Sequence, residues 1–218
     1  MMEDGVFLPR DLPLWEDAKP YLDVRNNDEH TIVAYGLARV LLDLIPEADE
    51  SVVLPAVMLH DVGWKRIDPG LLLLAIGRRP SRLDLVRDHE LHSVEIAREI
   101  LERRRPEGVD IEAVLEIIDG HDTVKTAKNI NDAVLKDADK GWRTTQHGMH
   151  TICGWYGVPA SEIILMLEER SNPLMLTAPG RALAEANTQA LKAELMIARY
   201  LGRGPEFTRF APEEGKSW

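Results

Sequence analysis

Between residues 31 and 45 (TIVAYGLARVLLDLI), Val33, Leu37, Val40, Leu41 and Leu44 recur at i, i+4, i+7, i+8 and i+11. That spacing predicts an amphipathic helix with those five side chains on its inner face. The polar break PEADES supplies cap residues, Asp49 and Ser51, for a second helix running through VLPAVMLHDV. Pro55 fits such a helix if it falls in the first turn, which leaves His60 and Asp61 at the C-terminal end. After the turn Asp68-Pro69-Gly70, residues 81–105 carry a long helical pattern with a basic last turn, Arg103-Arg104-Arg105, read as a solvated end suited to the helix dipole. Gly108 breaks the chain, Asp110 caps IEAVLEIID, and Gly120 ends that helix with His121 at or just past it. Further helical patterns cover 131–145, 161–170 (after Pro159, with Ser161 as cap) and 181–201. No stretch alternates in β-rich composition, and Ala, Leu, Glu, Arg and Met dominate the periodic segments, so the expected fold class is all-α. With no repeat, linker or low-complexity tract, residues 1–218 are read as one domain whose last residues, 203–218, form an irregular tail.

Composition narrows the partners. The 218 residues hold 26 Lys+Arg against 37 Asp+Glu, a net charge of −11, which opposes binding to nucleic acid polymers and to anionic lipid. The longest aliphatic run, LLLLAIG at 71–77, is far short of a membrane span, and the N-terminal residues lack the basic and apolar regions of a signal peptide. A single cysteine, Cys153, precludes an internal disulfide and reads as a small buried hydrophobe. The expectation is a soluble cytoplasmic protein with a small ligand, its oligomeric state open.

Candidate chemistry lies in the histidines. His30 opens the first predicted helix, His60-Asp61 closes the second, His89 lies in the third, His121 follows the fourth, and Asp139 sits in KDADK on the fifth. In this order the chain resembles the HD superfamily of metal-dependent phosphohydrolases over roughly residues 20–145. His30, His60-Asp61 and Asp139 match its H…HD…D core, and DADK is similar to its A-D-[KR] segment, which selects Asp139 over Asp137. HELHSVEIA looks like the family's H-x-x-x-G-A-E-I, with Ser93 where glycine is usual; that match selects His89 over His92 and makes His89 and His121 the additional histidines of binuclear members.

The resemblance implies an HD-domain helical bundle of roughly seven to nine helices, with extra C-terminal helices over 146–202 that complete or cover the site. It also implies two divalent ions, one held by His30, His60 and Asp139, the other by His89 and His121, with Asp61 bridging. Mixed imidazole and carboxylate ligands suit a transition metal, iron or manganese first, with cobalt, nickel or zinc as alternatives. The implied reaction is attack of metal-bound hydroxide on phosphorus in a small phosphoester, a nucleotide or another phosphorylated metabolite, with Asp61 orienting the hydroxide. Arg25, Lys140, Arg143 and Lys125 are the candidate donors for the anionic substrate, Arg25 and Lys140 foremost. Asp122 is positioned to orient a ligand imidazole through its free ring N–H.

The chain also departs from the best-known binuclear members after the His60-Asp61 pair. Cyclic-dinucleotide phosphodiesterases and di-iron oxygenases of the superfamily carry H-D-x-G-K, whereas here that position is Trp64 and the lysine follows as Lys65, the candidate catalytic cation. With no G-Y-P segment, cyclic-dinucleotide hydrolysis is not expected. A mixed-valent di-iron oxygenase acting on a polyol or phosphonate, and a non-catalytic metal-containing helical module, are the alternatives. His92, His147 and His150 read as structural or solvent-facing, with His147 and His150 able to flank the pocket. Trp64 and Trp142 read as core aromatics, and Leu165, Met166, Leu167, Met175 and Met196 as core of the C-terminal helices.

Overall fold

A computed structural model describes residues 5–76 and 81–202. Among them the chain forms ten α-helices and no strand: α1 (Leu12–Ala18), α2 (Asn27–Leu44), α3 (Glu50–Leu59), α4 (Leu72–Ile76), α5 (Leu83–Arg104), α6 (Ile111–Ile118), α7 (Ile130–Gly141), α8 (Gln146–Tyr156), α9 (Ala160–Met166) and α10 (Ala178–Leu201). The all-α expectation holds, with more helices than predicted, in part because α1 and α4, seven and five residues long, are too short to show a period. The predicted tail, 203–218, lies outside the described residues. None of the described helices is long and apolar enough to cross a membrane.

The centre of the bundle is α3. Every residue from Val52 to Leu59 is buried, so this helix has no solvent face and is enclosed by α1, α2, α6 and α7. Pro55 lies in its second turn rather than the first, which forgoes the bond to the Ser51 carbonyl; the surrounding apolar packing holds the helix despite that loss.

The inner face of α2 is also rotated from the predicted one. Val40 and Leu44 are 44% and 57% exposed, while Ala34, Tyr35, Ala38 and Leu41 are buried. Small alanines let α3 and α7 approach closely, and Tyr35 is drawn inward because its hydroxyl donates to the buried carboxylate of Asp11.

The predicted caps hold at Asp49, which accepts from Ser51 N, and at Asp110, which accepts from Ala113 N. Ser161 does not cap. Helix α9 begins one residue earlier, and its N-cap, Pro159, makes no side-chain bond.

The C-terminal helices build a second apolar cluster from Trp142, Met149, Ile152, Ile163, Ile164, Leu167 and Leu191, with half-buried Cys153 packed against it rather than inside it. Leu165 is 52% exposed and outside that core. These helices are tied to the first cluster by Asp137, a buried residue of α7. Its carboxylate accepts from Leu176 N, Thr177 N and Thr177 Oγ1 at 2.7, 2.8 and 2.7 Å, fixing the start of α10.

Candidate metal centre

Five segments converge beside α3. His30 comes from the first turn of α2, His60 is the C-terminal cap of α3, and Asp61 opens the 3₁₀ turn Val62–Arg66. His89 lies in α5, His121 follows α6 and Asp139 lies in α7; all six side chains are buried. The turn after Asp61 presses against α5. A Cβ on Gly63 would stand 2.0 Å from the His89 carbonyl oxygen and 2.4 Å from Ser93 N. Ser93, the residue in the family's glycine position, makes this contact productive by accepting a bond from Gly63 N at 2.9 Å.

The donor atoms fall into two groups. His30 Nε2 is 3.1 Å from His60 Nε2 and 3.4 Å from Asp139 Oδ1, and His60 Nε2 is 3.8 Å from the same oxygen. His89 Nε2 is 3.4 Å from His121 Nε2. Between the pairs stands Asp61, its Oδ2 3.7 Å from both His30 and His60, its Oδ1 3.5 Å from His89 and 3.6 Å from His121. Ligands around one metal ion at metal–donor distances of about 2.0–2.2 Å lie roughly 3–3.5 Å apart, so these clustered donors fit a divalent metal site. Two of the histidines are set for the task by their other nitrogen: His60 Nδ1 donates to the Val57 carbonyl at 2.7 Å and His121 Nδ1 to the Ile118 carbonyl at 2.9 Å, leaving Nε2 free to face the centre.

The electrostatics suit a cation. Burial favours a neutral Asp61, but His60, His121, His89 and His30 outweigh it and hold this carboxyl well below its usual range. Asp139 is held low in the same way, by His60 and Lys140 against its burial. Burial pushes His30 down to about 4 and also lowers His89. His121 moves the other way, raised to about 9, because its bond to Asp61 and the charge of Asp122 outweigh burial. A buried centre with ionised carboxylates and unevenly protonated imidazoles is one in which a metal ion can replace protons.

Around the donors the structure separates the predicted residues. Arg25 reaches in: its guanidinium lies 4.3 Å from the Trp64 ring centroid and 5.5 Å from that of Trp155, and its buried Nε has no hydrogen-bond partner. Both Arg25 and Asn26 adopt φ of 57°, an uncommon left-handed backbone that aims the side chain inward. Lys140 Nζ is 3.6 Å from Asp139 Oδ2, and Arg143 stands near enough to Arg25 to oppose its charge. Lys125 is exposed, its Nζ donating to the Asp122 carbonyl. Lys65 is not brought to the donors: it is 40% exposed and paired with Asp23 at 2.5 Å. A 3₁₀ turn points consecutive side chains apart, and here the inward position falls to Trp64. Asp122 does not sit behind His121 either, since the Ile118 carbonyl occupies that nitrogen; its Oδ2 lies on the Nε2 side, 3.9 Å from both His89 and His121.

Three further features support the centre: Trp64, Glu90 and a chain through His147, a residue the sequence marked as able to flank the pocket. Trp64 is 1% exposed, donates from Nε1 to Asp61 Oδ1 at 3.1 Å and stacks on His89 with centroids 4.0 Å apart. Glu90, fully buried, accepts from Asp122 N and Thr123 N and so holds the turn after His121; its place beside His89 is the only signal it offered. Glu29, His147 and Trp142 form a chain, with His147 Nε2 2.8 Å from Glu29 Oε2 and Trp142 Nε1 donating to His147 Nδ1, and Trp142 meets His30 edge-on. His147 therefore braces the wall beside the centre.

Bundle and centre together define an all-helical protein whose clustered histidines and aspartates fit a divalent metal site between its helices. The family model of the HD domain matches residues 27–140, just over half of the chain, and the chain belongs to the HD-domain family. No curated protein and no solved structure matches it.

Proposed function

We propose that this protein is a metal-dependent phosphohydrolase that cleaves a small phosphoester, a nucleotide or another phosphorylated metabolite. The observation that carries the reading is the division of Asp61 between two histidine pairs, with Arg25 lying over Trp64 and its buried Nε without a hydrogen-bond partner among the described residues. Two divalent transition ions, iron or manganese foremost, supply Lewis acidity and an activated water there. His30, His60 and Asp139 would hold one ion and His89 and His121 the other, with Asp61 available to both. Trp64 keeps the Asp61 carboxylate in its plane through the indole N–H. Arg25 offers the phosphate a charged donor fork whose orientation is set by two indoles rather than by a competing carboxylate. Lys140, beside Asp139, adds positive charge, and the buried side chains around it exclude bulk water from the anion.

The test is phosphate release from a panel of nucleotides and sugar phosphates with manganese, cobalt, nickel and iron, against His60→Ala and Asp61→Ala. Metal-dependent release abolished in both variants supports the reading. Absence of release across the panel from protein loaded with each metal overturns it.

A further inference from the structure

The two groups of donors are unequal as the family pattern leaves them. His30, His60, Asp139 and Asp61 Oδ2 give the first group four protein donors, while His89, His121 and Asp61 Oδ1 give the second only three. We propose that Asp122 is a direct ligand of the second ion, completing a two-imidazole, two-carboxylate set that mirrors the first.

Three observations support it. Asp122 Oδ2 is equidistant, at 3.9 Å, from the Nε2 atoms of His89 and His121, and the three atoms form a group compact enough for one cation. The orienting role left for a carboxylate behind His121 is already filled by the Ile118 carbonyl, so the Asp122 side chain is not needed there. Its direction is built rather than incidental. Glu90 Oε1 accepts from Asp122 N at 2.8 Å and Thr123 N at 2.7 Å, Glu90 Oε2 accepts from Thr123 Oγ1 at 2.7 Å, and Arg87 balances the buried charge of Glu90 at 2.8 Å. The backbone of the turn is thereby clamped, while the Asp122 carboxylate itself accepts no hydrogen bond among the described residues. A short shift of an unclamped, partly exposed side chain would bring it from 3.9 Å to ordinary ligand spacing.

This inference rests on the two-ion reading of the centre, not on phosphohydrolase activity, so it is tested without substrate. Metal-stripped protein is titrated with manganese alone, and bound metal is measured by mass spectrometry after gel filtration and by electron paramagnetic resonance. Wild type is expected to bind two ions per chain with an exchange-coupled signal. Asp122→Asn, nearly isosteric, is expected to keep the first ion and lose at least ~10-fold in affinity for the second, its spectrum reverting to that of isolated manganese. Circular dichroism reports whether the helices persist, and Asp122→Ala gives the same readout with a smaller side chain. Retention of the second ion within about threefold of wild type by either folded variant overturns the proposal. So does a wild type that binds a single ion.

Discussion

Trp64 donates its indole N–H to Asp61 Oδ1 and lies nearly parallel to His89, 12° between the planes. One side chain therefore fixes two donors that belong to different helical segments, and its other face supports the Arg25 guanidinium. At the position where the H-D-x-G-K pattern has a lysine, this chain places an aromatic ring that bonds the Asp61 carboxylate and stacks on the His89 imidazole.

Deleting the indole N–H, together with the smaller ring that carries it, tests that role. Trp64→Phe retains an aromatic face for His89 but leaves Asp61 free to rotate, and metal affinity is expected to fall by roughly 10–100-fold, the usual effect of deleting a partner that orients a ligand. Calorimetric titration with manganese checks it. Unchanged affinity would mean that the hydrogen bond contributes nothing to the centre.

Gly63→Ala acts through the backbone. The added methyl would overlap the His89 carbonyl and Ser93 N, neither of which is the end of a flexible side chain. Separating the turn from α5 should cost about 1–3 kcal/mol or more and displace Asp61 from His89. Both a lower Tm and a lower metal content are expected in the same preparation.

Asp137 and Asp139 are two residues apart on α7 and have unrelated duties. Asp139→Asn is expected to reduce metal content with little change in the Tm of the metal-free protein. Asp137→Ala should leave Leu176 N and Thr177 N without their buried acceptor and cost about 1–3 kcal/mol or more, while metal stoichiometry persists in the folded fraction. Thermal melts and metal analysis of the two variants should give opposite patterns.

The pH dependence of metal binding follows from His121. Raised to about 9, it carries a proton at neutral pH in the metal-free centre, and a cation must displace that proton to use Nε2. Apparent affinity should therefore rise at least about tenfold per pH unit through neutrality, since His60, held up against its burial by Asp61 and Asp139, also gives up its proton more reluctantly than an ordinary imidazole, and should level off above about 9. His30, lowered to about 4, is already unprotonated across that range and adds no slope. Titrations in buffers of different ionisation enthalpy should show proton release on binding at neutral pH; no release would contradict this account.

Arg25→Ala removes the donor fork while sparing every metal donor. With an active substrate in hand, KM is expected to rise by about 10–100-fold, the worth of a charged hydrogen bond, with metal content unchanged. Arg25→Lys should recover only part of the loss, because an ammonium cannot lie flat between two indoles.

The helices and several of their ends were legible in the chain because period and caps are local: Asp49 and Asp110 each bond a backbone N–H within three residues. The six donors were legible for a different reason, their order along successive helices. The buried face of α2 was misjudged, since alanine is silent in a hydrophobic pattern yet permits the closest helix packing.

By itself, then, the sequence determined an all-helical chain with histidines and aspartates placed at helix starts and ends, because those features depend on neighbours a few residues away. Only the tertiary structure decided which groups meet. Lys65 is turned out to Asp23 and Trp64 turned in to Asp61, Asp137 is committed to the start of α10 two positions from a metal donor, and Asp122 faces the Nε2 side of His121 instead of its back. Each outcome depends on a rotation of one or two residues along a helix, about 120° in the 3₁₀ turn and about 200° from Asp137 to Asp139, or on a clamped turn, and is set by residues up to 42 positions distant and by no local preference.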